Sequence, residues 1–237
     1  MKIAGFVKTT LLDYPGHLAC TVFVQGCNMR CPFCQNGSLV LPEYFEPLMD
    51  TEEVLGHIRK RSAVLEGVCI TGGEPTIMPG LKAFISKIKD MGLLVKLDTN
   101  GTNPDTVEEF IKEKLIDFVA MDIKSSPAAY AKVSGVPGID IDKIKRSVQL
   151  ISSSGIDYEF RTTLVKGLHD KESVRETALW LKDAKAYFLQ SYREEDGVIE
   201  KLRGEDLKLE SFTKEELNEL LGIVREYVPV AELRGVD

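Results

Sequence analysis

The amino-acid sequence predicts an α/β fold, an open partial barrel of the (β/α)6 kind. Short apolar runs of strand length alternate with amphipathic runs of helix length along most of the 237 residues, which is typical of a parallel sheet covered by helices. About six such units can be counted, fewer than the eight that close a full barrel, so we expect the sheet to stay open on one side. Ligands of such sheets bind at the carboxyl ends of the strands.

The predicted strands are short apolar runs rich in β-branched and aromatic residues, of which the first reads CTVFV. Between them lie runs with helix-end signals: an acidic first turn after Asp50, Gly92 after a helical run, and Asn103-Pro104 before one. The predicted strands are 20–24, 68–71, 93–97, 118–123, 158–165 and 186–190. The predicted helices are 50–63, 81–91, 107–114, 142–153, 172–181 and 213–226, and an apolar tail follows at 227–233.

We expect a single domain over residues 1–237. The turn signature Asp13-Tyr14-Pro15-Gly16 predicts a hairpin or cap at 1–18. The core partial barrel then covers 19–190, and a C-terminal helix and tail cover 191–237. No repeat or low-complexity linker divides the chain.

Composition excludes several classes of function. The net charge is −7 and no basic cluster is present, so nucleic acid is not an expected partner. The apolar run 3–7 is too short for a signal peptide and no run reaches the length of a membrane span, so we predict a cytoplasmic protein without a membrane partner. No G-x-G-x-x-G follows a strand, which argues against a dinucleotide-binding enzyme.

Three of the five cysteines, Cys27, Cys31 and Cys34, lie within eight residues in a C-x3-C-x2-C pattern. Three adjacent thiolates repel one another unless a cation neutralises them, so the pattern indicates a soft metal centre. Structural zinc takes four protein ligands, whereas an iron–sulfur cluster held by three leaves one iron open for chemistry. Cys20 and Cys69 lie in strand-like runs and are best interpreted as small buried side chains, although either could serve as a fourth ligand.

Polar or glycine residues follow four successive predicted strands, on the rim where the cysteines are expected. Adjacent glycines leave a bare backbone that a ligand can approach. Taken alone, the glycines could form a plain turn, and the charged residues could be caps or solvated charges. Their shared place on one rim favours a site. These residues are Gly72, Gly73, Glu74, Asp98, Thr99, Asp122, Lys124 and Arg161.

The cysteine pattern, with Phe33 directly before its third cysteine, and the GGE at 72–74 resemble the radical S-adenosylmethionine (SAM) enzymes. Within that superfamily, the opening at 5–36 is similar to the activating enzymes of glycyl-radical proteins. The DTNG at 98–101 and the DIK at 122–124 match the same group. The most similar subgroup activates anaerobic ribonucleoside-triphosphate reductase.

The resemblance covers the chain to about Gln190 and implies a partial barrel of the radical SAM type. Some activases place a histidine near the sixth strand, where this chain has Ser191-Tyr192-Arg193, so no ligand from that strand is assigned. Only two cysteines remain outside the motif, too few for an accessory cluster.

The resemblance also implies the cofactors. The three cysteines would hold a [4Fe-4S] cluster whose open iron takes the amino and carboxylate groups of SAM. Reductive cleavage of SAM would then give a 5′-deoxyadenosyl radical. The resemblance places Gly72, Gly73 and Glu74 at the methionyl amino group, and Phe33 beside the adenine.

The same resemblance places Asp98, Thr99 and Asp122 near the SAM carboxylate, where some activases hold a monovalent cation. Lys124 and Arg161 would balance the anionic charge there. These residues complete the predicted SAM site.

The implied function is to abstract a hydrogen from a glycine of a partner enzyme, in the first place anaerobic ribonucleotide reductase, with flavodoxin or ferredoxin as the electron donor. One alternative keeps the enzyme class and changes the target to a pyruvate formate-lyase type of protein or a small molecule. Another is a zinc-stabilised binding module, in which the three cysteines recruit a fourth ligand such as His17.

Overall fold

The structure, a computed structural model, describes residues 1–193 and 207–235. The predicted tail segment 191–237 therefore lies partly outside the described residues, at 194–206 and 236–237. One sheet of eight strands, ordered along the sheet as along the chain, forms the centre of the described part. Its strands are β1 (Ile3–Thr10), β2 (Ala19–Val24), β3 (Gly67–Gly72), β4 (Leu94–Thr99), β5 (Phe118–Asp122), β6 (Asp157–Leu164), β7 (Tyr187–Ser191) and β8 (Glu232–Arg234).

Helices connect the strands, and two 3₁₀ turns, Pro42–Tyr44 and Pro75–Ile77, follow β2 and β3. The helices are α1 (Gly37–Val40), α2 (Thr51–Arg61), α3 (Leu81–Lys89), α4 (Pro104–Lys112), α5 (Tyr130–Ser134), α6 (Ile141–Ser153), α7 (Lys171–Trp180) and α8 (Lys214–Arg225). In the described residues, no helix has both the length and the apolar character needed to cross a membrane.

The predicted α/β partial barrel is confirmed. Strands β2 to β8 pair in parallel, and β1 pairs antiparallel with β2. The two outer strands, β1 and β8, lie at opposite ends of the strand order and do not pair with each other within the described ranges. The sheet is therefore open on one side. The division into cap, core and tail stays a prediction.

Besides the four-residue helix α1, which was not predicted, two elements differ from the sequence-based expectation. The apolar tail contributes a strand, β8, whose three residues pair with β7 and are too few to show a period of two. The stretch after β5, expected to be irregular, contains α5, which has five residues and ends at Gly135 in the left-handed conformation. A helix of five residues is too short to show a recognisable apolar period.

The central strands bury both faces, but the two faces differ in chemistry. Along β4, Val95 and Leu97 join the apolar core shared with the helices, because alternate residues of a strand point to the same face. Lys96 and Asp98 point to the other face, inside the barrel, where they form an ion pair. The barrel interior is therefore polar, and the apolar core lies between the sheet and its helices.

We expect truncation of the apolar face to destabilise the protein strongly. Leu97→Ala removes a side chain that is 0% exposed and should lower the free energy of unfolding by about 2–5 kcal/mol. The control is Leu12→Ala, because Leu12 is 88% exposed and its truncation should change that free energy by less than about 0.5 kcal/mol. Urea titration under reducing conditions measures both; equal effects of the two variants would contradict the assignment of the core.

Candidate active site

A cavity of about 460 Å³ opens at the carboxyl ends of the parallel strands. Most of its walls come from the segment after β2 and from β3 to β7, as the sequence predicted for the rim, and Asp13, between β1 and β2, also lines it. Gln190, at the end of β7, reaches it as well. The predicted site residues that line the cavity are Cys27, Cys31, Phe33, Cys34, Gly72, Gly73, Asp98, Thr99, Asp122, Lys124 and Arg161. Glu74 is the predicted residue that does not line it.

The cysteine loop, residues 27–34, folds around the side chain of Arg30. Its guanidinium donates hydrogen bonds of 2.7 Å to the carbonyl oxygens of Cys27 and Met29. The backbone N–H of Cys34 donates to the carbonyl oxygen of Cys31 at 3.1 Å. These bonds hold the loop in a tight curve, which turns its three thiols toward one cavity.

The thiols of the cysteine loop have raised pKa values. Burial raises the pKa of Cys27 to about 11 and that of Cys31 to about 12, and it raises the pKa of Cys34 too. The positive charge of Lys124 acts in the opposite direction at all three. Buried thiols of this kind become thiolates when a metal supplies the compensating charge.

The residues of the loop fit an iron–sulfur cluster. Three soft sulfur donors line one cavity, and the ammonium of Lys124 offsets part of their charge. In the described residues, no three histidine, cysteine or acidic side chains converge on the position of one metal ion. A cluster is wider than an ion, so thiols that hold it are spread apart rather than gathered at a point.

The residues that could serve as a fourth metal ligand lie away from the cysteine loop. His17 precedes β2, at the end of that strand opposite the cysteine loop, and its Nδ1 lies 3.2 Å from a carboxylate oxygen of Glu66. Six strand residues, spanning about 20 Å, separate His17 from the loop. Cys20 and Cys69 are fully buried in β2 and β3 and do not line the cavity. The zinc site with His17 is thus incompatible with this geometry.

The Gly72-Gly73 turn packs against the backbone that leads into the cysteine loop. A Cβ added at Gly73 would lie 2.0 Å from the carbonyl oxygen of Gly26, and Gly72 has φ +107°. The N–H of Gly73 donates to the carbonyl oxygen of Val24 at 2.9 Å. The glycines therefore permit a close backbone contact, a structural reason independent of SAM. Their contact with the methionyl amino group stays a prediction.

Glu74 lies behind the cavity wall with no exposed surface. Its carboxylate accepts hydrogen bonds from the N–H and hydroxyl of Thr76, the hydroxyl of Thr99 and the N–H of Asn100, at 2.5–3.0 Å. Burial raises the pKa of Glu74, and these four bonds oppose that rise. Glu74 thus ties the end of β4 to the turn after β3, and its predicted contact with SAM stays a prediction.

Charged residues form a network on the cavity floor. Arg161 donates to Asp98 (Nη2 to Oδ2, 3.2 Å) and to Asp122 (Nε to Oδ1, 2.9 Å). Lys96 bonds the second oxygen of Asp98, and Lys124 lies 3.3 Å from Asp122. Burial alone would raise the pKa of Asp122, but the cations of Arg161 and Lys124 lower it to about 2. Arg161 thus lies between the two carboxylates, Asp98 and Asp122. A monovalent cation near them stays a prediction.

Part of this network, below the cavity floor, was not predicted from the sequence. Lys96 is only 2% exposed, and Glu159 lies between Arg161 (3.7 Å) and Arg234 (2.8 Å). His169 contacts the backbone of the same network: its Nε2 lies 2.8 Å from the carbonyl oxygen of Lys124. The available signal was a charged residue between two apolar ones within a predicted strand, as for Lys96 in VKL and Glu159 in YEF.

Comparison with known proteins agrees with this geometry. Residues 21–181 match the family model described as the Radical SAM superfamily. The chain is 33% identical to a Methanocaldococcus jannaschii protein provisionally named glycyl-radical enzyme activating enzyme, over 99% of this chain and 96% of that protein. It is 30% identical to the pyruvate formate-lyase-activating enzyme of Streptococcus mutans, over 72% of this chain and 69% of that enzyme.

Among solved structures, the fold is similar to Streptococcus suis SuiB bound to S-adenosylmethionine. The TM-score is 0.68 at 17% identity, over 89% of this chain and 48% of SuiB. The chain thus spans about half the length of SuiB, and the likeness concerns the fold.

We expect Glu74→Gln to destabilise the protein by at least about 2 kcal/mol. The glutamine side chain has an amide nitrogen in place of one carboxylate oxygen, and this nitrogen cannot accept hydrogen bonds. Buried donors that now bond the carboxylate therefore lose their acceptor. Glu176→Gln, on the exposed surface of α7, is the matched control and should change the free energy of unfolding by less than about 0.5 kcal/mol. Denaturant titration of the two apo-proteins compares them, and a neutral Glu74→Gln would contradict the assigned network.

Proposed function

The chain belongs to the radical SAM superfamily, and we propose that it uses a SAM-derived radical to abstract a hydrogen atom from a glycine of a partner protein. The observation that carries the proposal is the meeting of three thiols and a charged floor in one cavity of about 460 Å³, a volume within the range of small-molecule sites. The M. jannaschii relative, similar over nearly its whole length, supports the glycine as the target. We further propose anaerobic ribonucleotide reductase as the partner.

In this proposal Cys27, Cys31 and Cys34 hold the [4Fe-4S] cluster. When bound, the cluster supplies the electron that cleaves the sulfonium carbon–sulfur bond of SAM. The protein chain binds and orients SAM and excludes water from the site. Burial raises the pKa of Cys27 to about 11 and that of Cys31 to about 12, so these two thiols are protonated in the apo-protein and loading the site releases protons.

The cavity floor suits a zwitterionic ligand. The two carboxylates, Asp98 and Asp122, are each paired with cations, and Lys124 presents its ammonium toward the cysteine loop. An anionic group that approaches this floor meets Lys124 and Arg161. We assign these two residues to the charge balance of the SAM carboxylate, and Phe33 to the adenine.

The remaining partners follow from the chemistry. A one-electron donor must reach the cluster, and a reduced flavodoxin or ferredoxin supplies electrons singly. Free cysteines and an oxygen-sensitive cluster require a reducing compartment, for which we propose the cytoplasm. The open side of the sheet, between β1 and β8, leaves room for a loop of a partner protein.

The cluster assignment predicts a sharp difference between cysteines. Cys31→Ala should abolish reductive cleavage of SAM and the visible absorbance of the reconstituted cluster, because two thiolates cannot hold it. Cys20→Ala is the control, since Cys20 is equally buried but lies away from the cavity. Iron analysis and chromatographic assay of 5′-deoxyadenosine measure both; an active Cys31→Ala protein would refute the proposed ligand set.

The partner is tested by incubating reduced, cluster-loaded protein and SAM with candidate glycyl-radical enzymes under anaerobic conditions. We expect a glycyl doublet by electron paramagnetic resonance with anaerobic ribonucleotide reductase, and none when its target glycine is replaced by alanine. A doublet with pyruvate formate-lyase alone would keep the activase and change the partner. Cleavage of SAM without a doublet on any such protein would reject the proposed target.

We expect Arg161→Met to weaken SAM binding by tenfold or more, about 1.4 kcal/mol. Without the guanidinium of Arg161, Asp98 and Asp122 are incompletely neutralised, and their negative charge then repels the SAM carboxylate. Arg146→Met is the matched control because Arg146 also bridges two carboxylates, on the exposed surface. Equilibrium binding to reconstituted protein measures the affinities, and equal values for the two variants would contradict the role of Arg161.

A further inference from the structure

The short helix α5 packs directly against the cysteine loop. The backbone N–H of Arg30 donates to the carbonyl oxygen of Ser134, the last residue of α5, at 2.9 Å. Val133 and Ser134 are completely buried, so this end of the helix has a fixed place in the structure. The hydrogen bond joins the middle of the cysteine loop to the connection between β5 and α6.

The contact requires glycine at position 135 for two separate reasons. Gly135 ends α5 with φ +67°, a conformation that other residues adopt at a cost. In addition, a Cβ at this position would lie 2.0 Å from the carbonyl oxygen of Arg30 and 2.5 Å from its carbonyl carbon. Such a Cβ must push the Arg30 backbone and α5 apart.

Arg30 transmits any such displacement to the cysteines. Its backbone is held by α5, whereas its guanidinium holds the carbonyl oxygens of Cys27 and Met29. Cys31 is the next residue of the chain. A shift of Arg30 therefore changes the separation of Cys27 and Cys31, the two thiols on either side of it.

We propose that Gly135 is a positioning residue for the iron–sulfur cluster: it lets α5 reach the Arg30 backbone and so sets the spacing of Cys27 and Cys31. The inference rests on cluster binding by the cysteine loop, as in the proposed function, and is independent of the partner protein. Outer residues that orient metal ligands commonly change metal affinity by about 10- to 100-fold when replaced.

Three variants separate the collision from the backbone conformation. Gly135→Ala introduces both the Cβ and the unfavourable φ, and Gly135→Asn introduces the same Cβ on a residue that tolerates a positive φ. Gly155→Ala is the matched control, because Gly155 has φ +81° and an added Cβ there meets no described heavy atom within 4 Å. Gly155→Ala therefore has the energetic cost of a positive φ without a Cβ collision.

The first readout is the rate at which ferrozine removes iron from anaerobically reconstituted protein. The second is the electron paramagnetic resonance spectrum of the reduced cluster with and without SAM. We expect both Gly135 variants to lose iron about 10- to 100-fold faster than wild type and to show an altered spectrum. Gly155→Ala should match wild type in both. Wild-type behaviour of either Gly135 variant would overturn the proposal.

If the Gly135 variants do not fold, Val133→Ala loosens α5 without adding a collision. It should accelerate iron loss relative to Val224→Ala, an equally buried truncation in α8; equal rates would overturn the proposal. Failure of the proposed function is distinguishable, because wild-type protein would then take up no cluster. A loaded wild type with unaltered Gly135 variants would reject this inference alone.

Discussion

The pairing of charges inside the barrel is the interaction on which the rest of the site depends. Asp98 and Asp122 lie on adjacent strands, and Arg161, reaching from β6, holds both. Lys96 and Lys124 complete the compensation. Removing one partner would leave a partly buried charge without its full compensation, which is unfavourable. The paired charges therefore hold the ends of β4, β5 and β6 relative to one another.

Close backbone contacts fix the cysteine loop to that frame. The Gly72-Gly73 turn docks on Gly26, just before the first cysteine, and Gly135 lets α5 reach Arg30 in its middle. Glu74 then joins the turn after β3 to the end of β4 through Thr99 and Asn100. A site that must hold reacting atoms in place benefits from such rigid support. The loop has few regular hydrogen bonds of its own, so its shape comes from its neighbours.

The same arrangement suits radical chemistry on a macromolecular substrate. The helices cover the outer face of the sheet, and β1 and β8 do not pair with each other within the described residues, so the sheet is not closed there. SAM-derived radicals must be shielded from water and still meet the target carbon. A polar interior beneath the cavity, with its charges paired, allows a charged cofactor to bind without leaving a bare ion in an apolar core. This combination supports the proposed role on a protein loop.

The sequence alone determined the alternation of strands and helices, the open parallel sheet and the three-cysteine loop, because apolar periodicity and ligand spacing are local properties of the chain. It also placed Asp98, Asp122, Lys124 and Arg161 on one rim, since parallel strands end at the same edge. Tertiary structure alone decided the rest. The pairing of Lys96 with Asp98 depends on which strand face points inward, the burial of Glu74 on the turn it closes, and the need for glycine at 135 on a contact with Arg30, more than 100 residues away along the chain. The contact of Gly135 with Arg30 has no local pattern, because it arises only when distant segments meet. The burial of Lys96 and Glu74 likewise depends on which other parts of the chain cover them.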